Sequence, residues 1–268
     1  MEIKIKNLSF NYNSNNILED INLTIDSEKI TGIIGKSGSG KTTLIDLISG
    51  LLKPINGNII YDNKDKLDLK DIGYCFQNSK SQFFCETVKE EIELSALTNN
   101  YRVKELNKRV NEVLKIVNLN KEILNKNPLQ LSNSETKKVS LATILIYNPK
   151  LIVLDEPSIG LDNKSKEELV RLIKMLKNRY KKTIIIVSHD LDFLHKIIDK
   201  AVVLSEGKIV LNGTKYEVFN DTKKLKKYGL LPPNVMMFSN KVLTKKGIKI
   251  GYRDDINDLI KDIFRNVY

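Results

Sequence analysis

The sequence predicts an α/β protein with a mostly parallel central sheet. Short apolar runs at residues 151–154 and 183–187 are typical of strands that are buried on both faces. Segments with apolar residues spaced three or four apart, such as residues 164–179, alternate with these runs and predict amphipathic helices. A glycine-rich turn also joins a buried strand to an apolar helix within residues 29–52. Together these observations favour a sheet that is covered by helices on both faces.

Two strands are predicted before the first buried strand. Apolar and polar residues roughly alternate in residues 3–10 and again in residues 21–25, and the polar loop 11–16 joins the two runs. We expect these runs to contribute to an antiparallel β-subdomain at the N-terminus. A strand at residues 29–35 and a helix at residues 41–52 follow in chain order.

A helical subdomain is predicted to interrupt the alternation of strands and helices. After further strands at residues 57–61 and 72–76, the chain has a helical pattern over residues 87–124. Another helix is predicted at residues 135–147. We therefore expect a helical subdomain over about residues 80–148.

The end of the chain is predicted to form a hairpin and a small helical extension. Two apolar runs within residues 201–211 flank a Glu-Gly pair, and a short helix at residues 216–220 closes the region. The composition then shifts towards lysine. We divide the chain into a main domain of residues 1–225 and an extension of residues 226–268.

Charge, hydropathy and cysteine content limit the classes of function. The 268 residues carry a formal net charge of +11, which nucleic-acid binding, an anionic membrane surface or a compositional bias would each explain. Nucleic-acid motifs are not evident, so no nucleic-acid partner is expected. No apolar run is long enough to span a bilayer, and residues 1–10 lack a signal-peptide core. Cys75 and Cys85 lack the paired spacing of a metal site, and two thiols without an export signal indicate a reducing cytoplasm.

A phosphate-binding loop is predicted where the strand at residues 29–35 meets its helix. The residues there fit the pattern G-x-x-x-x-G-K-[ST]. Its glycines let backbone N–H groups converge on phosphate oxygens, and the N-terminus of the helix adds its dipole. Lys41 supplies a positive charge for the β- and γ-phosphates, and the Thr42 hydroxyl can ligate Mg²⁺. The residues of the pattern are Gly35, Lys36, Ser37, Gly38, Ser39, Gly40, Lys41 and Thr42.

Two carboxylates and a histidine are predicted to reach the same edge of the sheet. Asp155 and Glu156 follow the apolar run 151–154, at the edge where such sheets bind ligands. Asp155 can hold Mg²⁺, and Glu156 can polarise an attacking water. His189 follows the run 183–187, and a strand beside the other two would place it near the γ-phosphate. These residues predict a site that binds and hydrolyses ATP.

The chain resembles the ATPase subunits of ABC transporters over nearly its whole length, and the motifs occur in the order of that family. The resemblance implies a P-loop NTPase fold of ABC ATPase type, with ATP and Mg²⁺ as cofactors. It also implies that Tyr12 stacks on adenine, that Gln77 touches Mg²⁺ and relays to membrane subunits, and that His189 is the switch histidine. Residues 158–162 resemble the D-loop. Thr43 joins the predicted nucleotide-binding residues.

A narrower resemblance is to the ATPases of energy-coupling-factor transporters. Residues 77–84 look like the F-Q-N-P-x-x-Q-x-F segment of that group, and residues 207–219 and 229–233 are similar to it as well. Such transporters import vitamins or transition-metal ions. The resemblance implies three partners, namely a second, related ATPase, a transmembrane coupling subunit and a substrate-binding membrane subunit. It also implies a peripheral location on the cytoplasmic face of the cell membrane.

The signature segment of the family is altered here. Where the family has L-S-G-G-Q and reaches across a head-to-tail dimer to the partner's ATP, Asn133 and Ser134 replace the two glycines. Their Cβ atoms lie where the backbone must approach the γ-phosphate, although the segment would equally suit a helix cap. We therefore expect slow turnover at the partner's site, and a heterodimer of unlike ATPases. The whole segment is Leu131, Ser132, Asn133, Ser134 and Glu135.

Three other functions remain open from the sequence. A soluble ABC ATPase acting on nucleic acid or ribosomes would usually carry two cassettes or a long coiled-coil insertion, and neither is visible. The altered signature suggests a catalytically weak structural subunit, but the retained Glu156 and His189 argue against it. An ordinary importer or exporter ATPase is the third. The transported substrate is not readable from the chain, because membrane subunits select it.

Overall fold

The structure is a computed structural model that describes residues 1–13, 15–99, 105–246, 260, 261 and 264. Its strands are β1 (Ile3–Tyr12), β2 (Asn15–Ile25), β3 (Ile30–Ile34), β4 (Asn56–Tyr61), β5 (Ile72–Cys75), β6 (Leu151–Asp155), β7 (Thr183–Val187), β8 (Lys200–Ser205) and β9 (Lys208–Thr214). Its helices are α1 (Lys41–Ile48), α2 (Val88–Thr98), α3 (Leu106–Ile116), α4 (Asn133–Leu145), α5 (Asn163–Asn178), α6 (Leu191–Ile197), α7 (Lys215–Asn220), α8 (Thr222–Lys227) and α9 (Asn234–Lys246).

The N-terminal strands form a small antiparallel sheet in the order β2-β1-β4. Ile3 pairs with Ile25 and Ile5 with Leu23, and these four side chains are buried. Alternate residues of a strand point to the same face, so the alternation in the sequence places one apolar face against the core. The prediction of an N-terminal antiparallel β-subdomain is confirmed.

The central sheet has six strands in the order β5-β6-β7-β3-β8-β9. The first five strands in this order, including β3, run parallel to one another. Strand β9 adds an antiparallel edge through its hairpin with β8. Every residue of β3, β6 and β7 is buried, as expected of strands covered on both faces. The predicted fold class is therefore confirmed. Because these three strands are adjacent and parallel, their carboxyl ends meet at one edge of the sheet.

The helical subdomain contains α2, α3 and α4. Thr87 caps α2 through a reciprocal bond with Glu90, which sets the start of that helix. The helical pattern predicted over residues 87–124 is divided between α2 and α3, and residues 100–104 lie outside the described part of the chain. Helix α3 buries one stripe, consisting of Leu106, Val110, Val113 and Leu114.

The chain after the hairpin folds back onto the glycine-rich loop. Helix α8 spans the predicted boundary between residues 225 and 226, and Leu225 is fully buried in the main core. Gly229 has a φ of +69°, and a Cβ there would lie 2.0 Å from Lys36 Cε of the glycine-rich loop. The start of the predicted extension thus packs on that loop, while its division from the rest of the chain stays a prediction. Within the described residues, no helix combines the length and the apolar character needed to cross a membrane.

Candidate active site

The glycine-rich loop leaves β3 at Gly35 and enters α1. A Cβ at Gly35 would lie 2.4 Å from the Leu204 carbonyl oxygen and 2.5 Å from Ser39 Oγ, so a larger residue does not fit there. Lys41 Nζ donates to the carbonyl oxygens of Gly35, at 2.9 Å, and Lys36, at 2.8 Å. These bonds hold the ammonium group against the backbone of the loop. The arrangement suits a phosphate anion, because backbone N–H groups and a fixed positive charge lie close together.

A hydroxyl oxygen and a carboxylate oxygen lie next to each other beside this loop. Thr42 Oγ1 donates to Asp155 Oδ2 over 3.4 Å, which brings the start of α1 to the end of β6. Burial, followed by the charges of Glu156 and Asp46, raises the pKa of Asp155 to about 6. Burial lowers the pKa of Lys41, against the opposing pull of the two carboxylates at the end of β6. A hydroxyl and a carboxylate are the hard oxygen donors that Mg²⁺ prefers, so this donor set fits that ion.

Glu156 is held in place by the chain that follows β7. Its φ of +47° is unusual for a residue other than glycine, and its N–H donates to the Val187 carbonyl oxygen at 2.8 Å. The Ser188 hydroxyl donates to Glu156 Oε2 at 3.0 Å, and the His189 N–H donates to Oε1 at 3.1 Å. His189 Nδ1 lies 2.8 Å from the same Oε1. The carboxylate is therefore oriented, and it is joined directly to the histidine ring.

These groups face one cleft with a volume of about 670 Å³. The described residues that line it are Ile17, Gly35, Ser37, Gly38, Gly40, Lys41, Thr42, Thr43, Gln77, Asp155, Glu156, Ile159, Val187 and His189. A second cavity, of about 320 Å³, lies between α3, α4 and α5, and its lining does not include Lys41, Asp155, Glu156 or His189. We place the site in the larger cleft because it holds the lysine, the two carboxylates and the histidine.

Three predicted nucleotide-binding residues lie outside the lining of the cleft. Lys36 and Ser39 line a neighbouring cleft, which they share with Tyr228. Tyr12 is 48% exposed and packs edge-on against Phe10, with ring centroids 4.9 Å apart. Their roles stay predictions.

The sequence reasoning missed two groups that contribute to the site. Ser188 orients Glu156, and its position directly after a buried strand, next to His189, was the available signal. Ile17 lines the cleft from β2 and adds an apolar surface there. It lies between the predicted polar loop 11–16 and the predicted strand 21–25, so no predicted element brought it to a ligand.

The altered signature segment lies apart from this cleft, at the start of α4. Ser132 caps that helix, since its Oγ accepts from the Glu135 N–H at 3.3 Å. The Ser132 hydroxyl and N–H in turn donate to Glu135 Oε2 at 2.7 and 3.0 Å. These bonds, with the hydroxyl bond contributing most, hold the pKa of Glu135 below its usual value. Asn133 Nδ2 donates to the Gly160 carbonyl oxygen at 3.2 Å and thereby joins the segment to residues 158–162.

Comparisons with known proteins identify the family of this chain. A family model described as ABC transporter matches residues 18–159. The energy-coupling factor transporter ATP-binding protein EcfA2 of Caldanaerobacter subterraneus subsp. tengcongensis is 40% identical over 263 residues, which cover 93% of this chain and 92% of the relative. The protein of the same name from Clostridium acetobutylicum is 35% identical over 278 residues, covering 98% and 94%.

Solved structures give the same assignment. The structure of cbiO1 from Clostridium perfringens, described as part of the ABC transporter complex cbiONQ, has a TM-score of 0.76 and 31% identity over 89% of this chain and 98% of that one. The ATP-binding cassette MJ0796, solved as a dimer bound to ADP and Pi, has a TM-score of 0.71 and 30% identity over 79% and 98%. The chain therefore belongs to the ABC transporter family, and within it to the ATP-binding proteins of energy-coupling factor transporters.

Proposed function

We propose that this chain binds and hydrolyses ATP to energise an energy-coupling-factor-type importer of vitamins or transition-metal ions. One observation carries the proposal: Lys41, Asp155, Glu156 and His189 face a single cleft at the carboxyl edge of the sheet. Phosphoryl transfer needs a phosphate cradle, a metal ligand and a group that orients water. The cleft offers all three.

Each residue has a distinct role in the proposed reaction. Lys41 binds the β- and γ-phosphates, which replace the carbonyl oxygens that its ammonium group contacts. Glu156 orients the attacking water, because two donors and the His189 ring fix its carboxylate. His189 is hydrogen-bonded through Nδ1, and its other ring nitrogen is left to contact the γ-phosphate. Thr42, Asp155 and Gln77 would hold Mg²⁺, which neutralises charge on the phosphates when it is bound.

A surface near Gln77 fits the proposed contact with a membrane subunit. Phe84 is 83% exposed, and it follows the Gln77 loop along the chain. The buried carboxylate of Glu91 accepts from the N–H groups of Phe84, at 2.8 Å, and Cys85, at 2.9 Å. The backbone beneath this aromatic ring is thus held firmly. An exposed aromatic side chain on a held backbone is typical of a protein–protein contact.

The signature segment supports a heterodimer of unlike ATPases. The Ser132 hydroxyl donates its proton to Glu135, so that proton is not directed at a partner's γ-phosphate. Glu135 also places a negative charge where the family pattern has glutamine. A lost transition-state donor lowers the rate of an enzyme by about 10²- to 10³-fold. In the proposed pair, this chain's own ATP is hydrolysed, and the ATP of the partner is hydrolysed slowly.

Mild purification from membranes tests the assembly. We expect a second ATPase with an intact signature and a multi-span protein to co-purify, and the complex to hydrolyse ATP. Lys41→Met should abolish the hydrolysis due to this chain, whereas Lys174→Met, at an exposed lysine on α5, should leave it unchanged. Salt-sensitive binding to RNA or DNA without any membrane association would instead favour a soluble ATPase.

A further inference from the structure

The loop that carries Gln77 is fastened to the helix that carries the signature segment. This loop, residues 76–82, follows β5 and runs along the side of α4. Lys137 Nζ, on α4, donates to the Gln77 carbonyl oxygen at 2.8 Å. Because the acceptor belongs to the backbone, the bond fixes the path of the loop and leaves the Gln77 side chain out of the contact.

A second set of bonds repeats this attachment one turn later on α4. Gln82 Oε1 accepts from the Phe76 N–H at 3.3 Å, which closes the loop on itself. Gln82 Nε2 donates to the Ser140 hydroxyl, and Cys75 Sγ donates to the Ser140 carbonyl oxygen at 3.5 Å. Lys137 and Ser140 are three residues apart, so they lie on the same side of the helix. The loop is therefore attached along one face of α4.

Helix α4 connects this attachment to the signature segment. Ser132 and Lys137 are five residues apart, which corresponds to about 7.5 Å along a helix. The reciprocal bonds between Ser132 and Glu135 keep this first turn helical. The loop and the segment are therefore attached to the same helix, five residues apart. Asn133 extends the connection to Gly160.

Lys137 is not among the described residues that line the cleft. Burial lowers the pKa of Lys137, and the charges of Cys75, Asp155 and Glu156 act in the opposite direction. The neighbouring Lys138 differs, because it forms an ion pair with Glu168 of α5 at 2.8 Å. Two adjacent lysines on one helix therefore have different partners, and Lys138 provides a matched control.

We propose that Lys137 is a positioning residue that couples the Gln77 loop to the signature segment through α4. This coupling rests on the proposed function, since the loop would receive the motion of a membrane subunit and the segment would face a second nucleotide. Loss of the bond leaves ATP binding intact. It separates motion of the loop from motion of the segment.

Hydrogen exchange on the full chain tests the attachment without any transporter. In Lys137→Met we expect the amides of residues 77–82 to exchange about tenfold faster or more, because a hydrogen bond from a charged group is lost. Lys137→Arg should restore the slow exchange, and Lys138→Met should not alter it. ATP binding should be unchanged in all three variants. Unchanged exchange in the loop, or an equal acceleration throughout the central sheet, would overturn the proposal.

The assembled transporter tests the coupling itself. We expect Lys137→Met to lower the amount of substrate taken up per ATP hydrolysed by about tenfold, while hydrolysis continues. Uptake and hydrolysis that fall in the same proportion, or that both persist, would contradict a coupling role. If the unmodified complex shows no ATP-driven uptake, the proposed function fails. Hydrogen exchange then still decides whether Lys137 holds the loop.

Discussion

The nucleotide cleft and the signature segment use the same kinds of residues in opposite ways. In the cleft, the Glu156 carboxylate accepts from groups on a neighbouring strand end and stays beside the phosphate loop. In the signature segment, the Glu135 carboxylate accepts from Ser132, three residues earlier in the same turn of helix. The Glu156 carboxylate is oriented to act on a ligand, whereas the Glu135 carboxylate accepts hydrogen bonds from its own helix.

This difference shows that one residue type can serve different chemistry at two places in the chain. Ser132 has the hydroxyl of the family signature, yet its proton is directed to Glu135. Ser188 has no part in the predicted motifs, yet its hydroxyl orients Glu156. The partner of each hydroxyl decides its function. The following variants test this comparison, in order of decreasing expected effect.

Removal of the Glu156 charge should have the largest effect. We expect Glu156→Gln to lower ATP hydrolysis by at least about 10²-fold, because a positioned base contributes that much. Binding of ATP should persist, as Lys41 and the loop are unchanged. Steady-state hydrolysis and ATP binding by the assembled complex measure the two effects. Glu122→Gln, at an exposed carboxylate, is the control, and continued turnover in Glu156→Gln would show that our role for this residue is wrong.

Restoration of glycine in the signature segment should raise the activity of the other site. We expect Asn133→Gly with Ser134→Gly to increase hydrolysis of the partner's ATP by about tenfold or more, since backbone donors regain their access. The measurement is made in the Glu156→Gln background, where this chain's own ATP is hydrolysed slowly. No increase over that background would count against the asymmetric pair.

Replacement of Glu135 should give a smaller gain at the same site. Glu135→Gln removes the carboxylate that accepts the Ser132 proton, and we expect a rise of about fivefold in hydrolysis of the partner's ATP. The same background and assay apply. Adding Ser132→Ala should cancel the gain, because the hydroxyl is then missing. A gain that survives this second change would show that charge alone is responsible.

The free energy of unfolding should depend on pH through Lys182, which binds the segment between α4 and β6. Lys182 Nζ donates to Asn148 Oδ1 at 2.7 Å and to the Pro149 carbonyl oxygen at 2.5 Å, where the chain passes from α4 to β6. Burial, and then the charge of Arg109, lowers the pKa of Lys182 to about 8. The unfolded chain holds this proton up to about pH 10.5, so stability should rise with pH between these two values.

The free energy of unfolding, measured in urea from pH 7 to pH 10, checks this prediction. Subtracting the curve of Lys182→Met from that of the unmodified chain isolates the contribution of Lys182. The difference should favour the unmodified chain increasingly as pH rises through about 8. Lys174→Met provides the control at an exposed lysine. Parallel curves would mean that Lys182 keeps its ordinary pKa.

The sequence predicted most of the fold because strand burial and helix periodicity are local patterns. The phosphate loop was readable for the same reason, since its residues are consecutive. The separate ends of α2 at Thr98 and of α3 at Ile116 were not predicted, because the helical pattern was assigned to residues 87–124 as one segment. Lys137 was missed because its partner, the Gln77 carbonyl, lies sixty residues away in the chain and belongs to the backbone.

The sequence alone showed which groups are present and where each strand ends. It thereby placed Lys41, Asp155, Glu156 and His189 at ends of buried elements, because adjacent parallel strands bring their carboxyl ends together. The partner of each polar group depends instead on the tertiary structure. Hydrogen bonds require contact within about 3 Å, and contacts between distant segments depend on how the elements pack. For this reason the different surroundings of Glu156 and Glu135 became visible only in the folded chain.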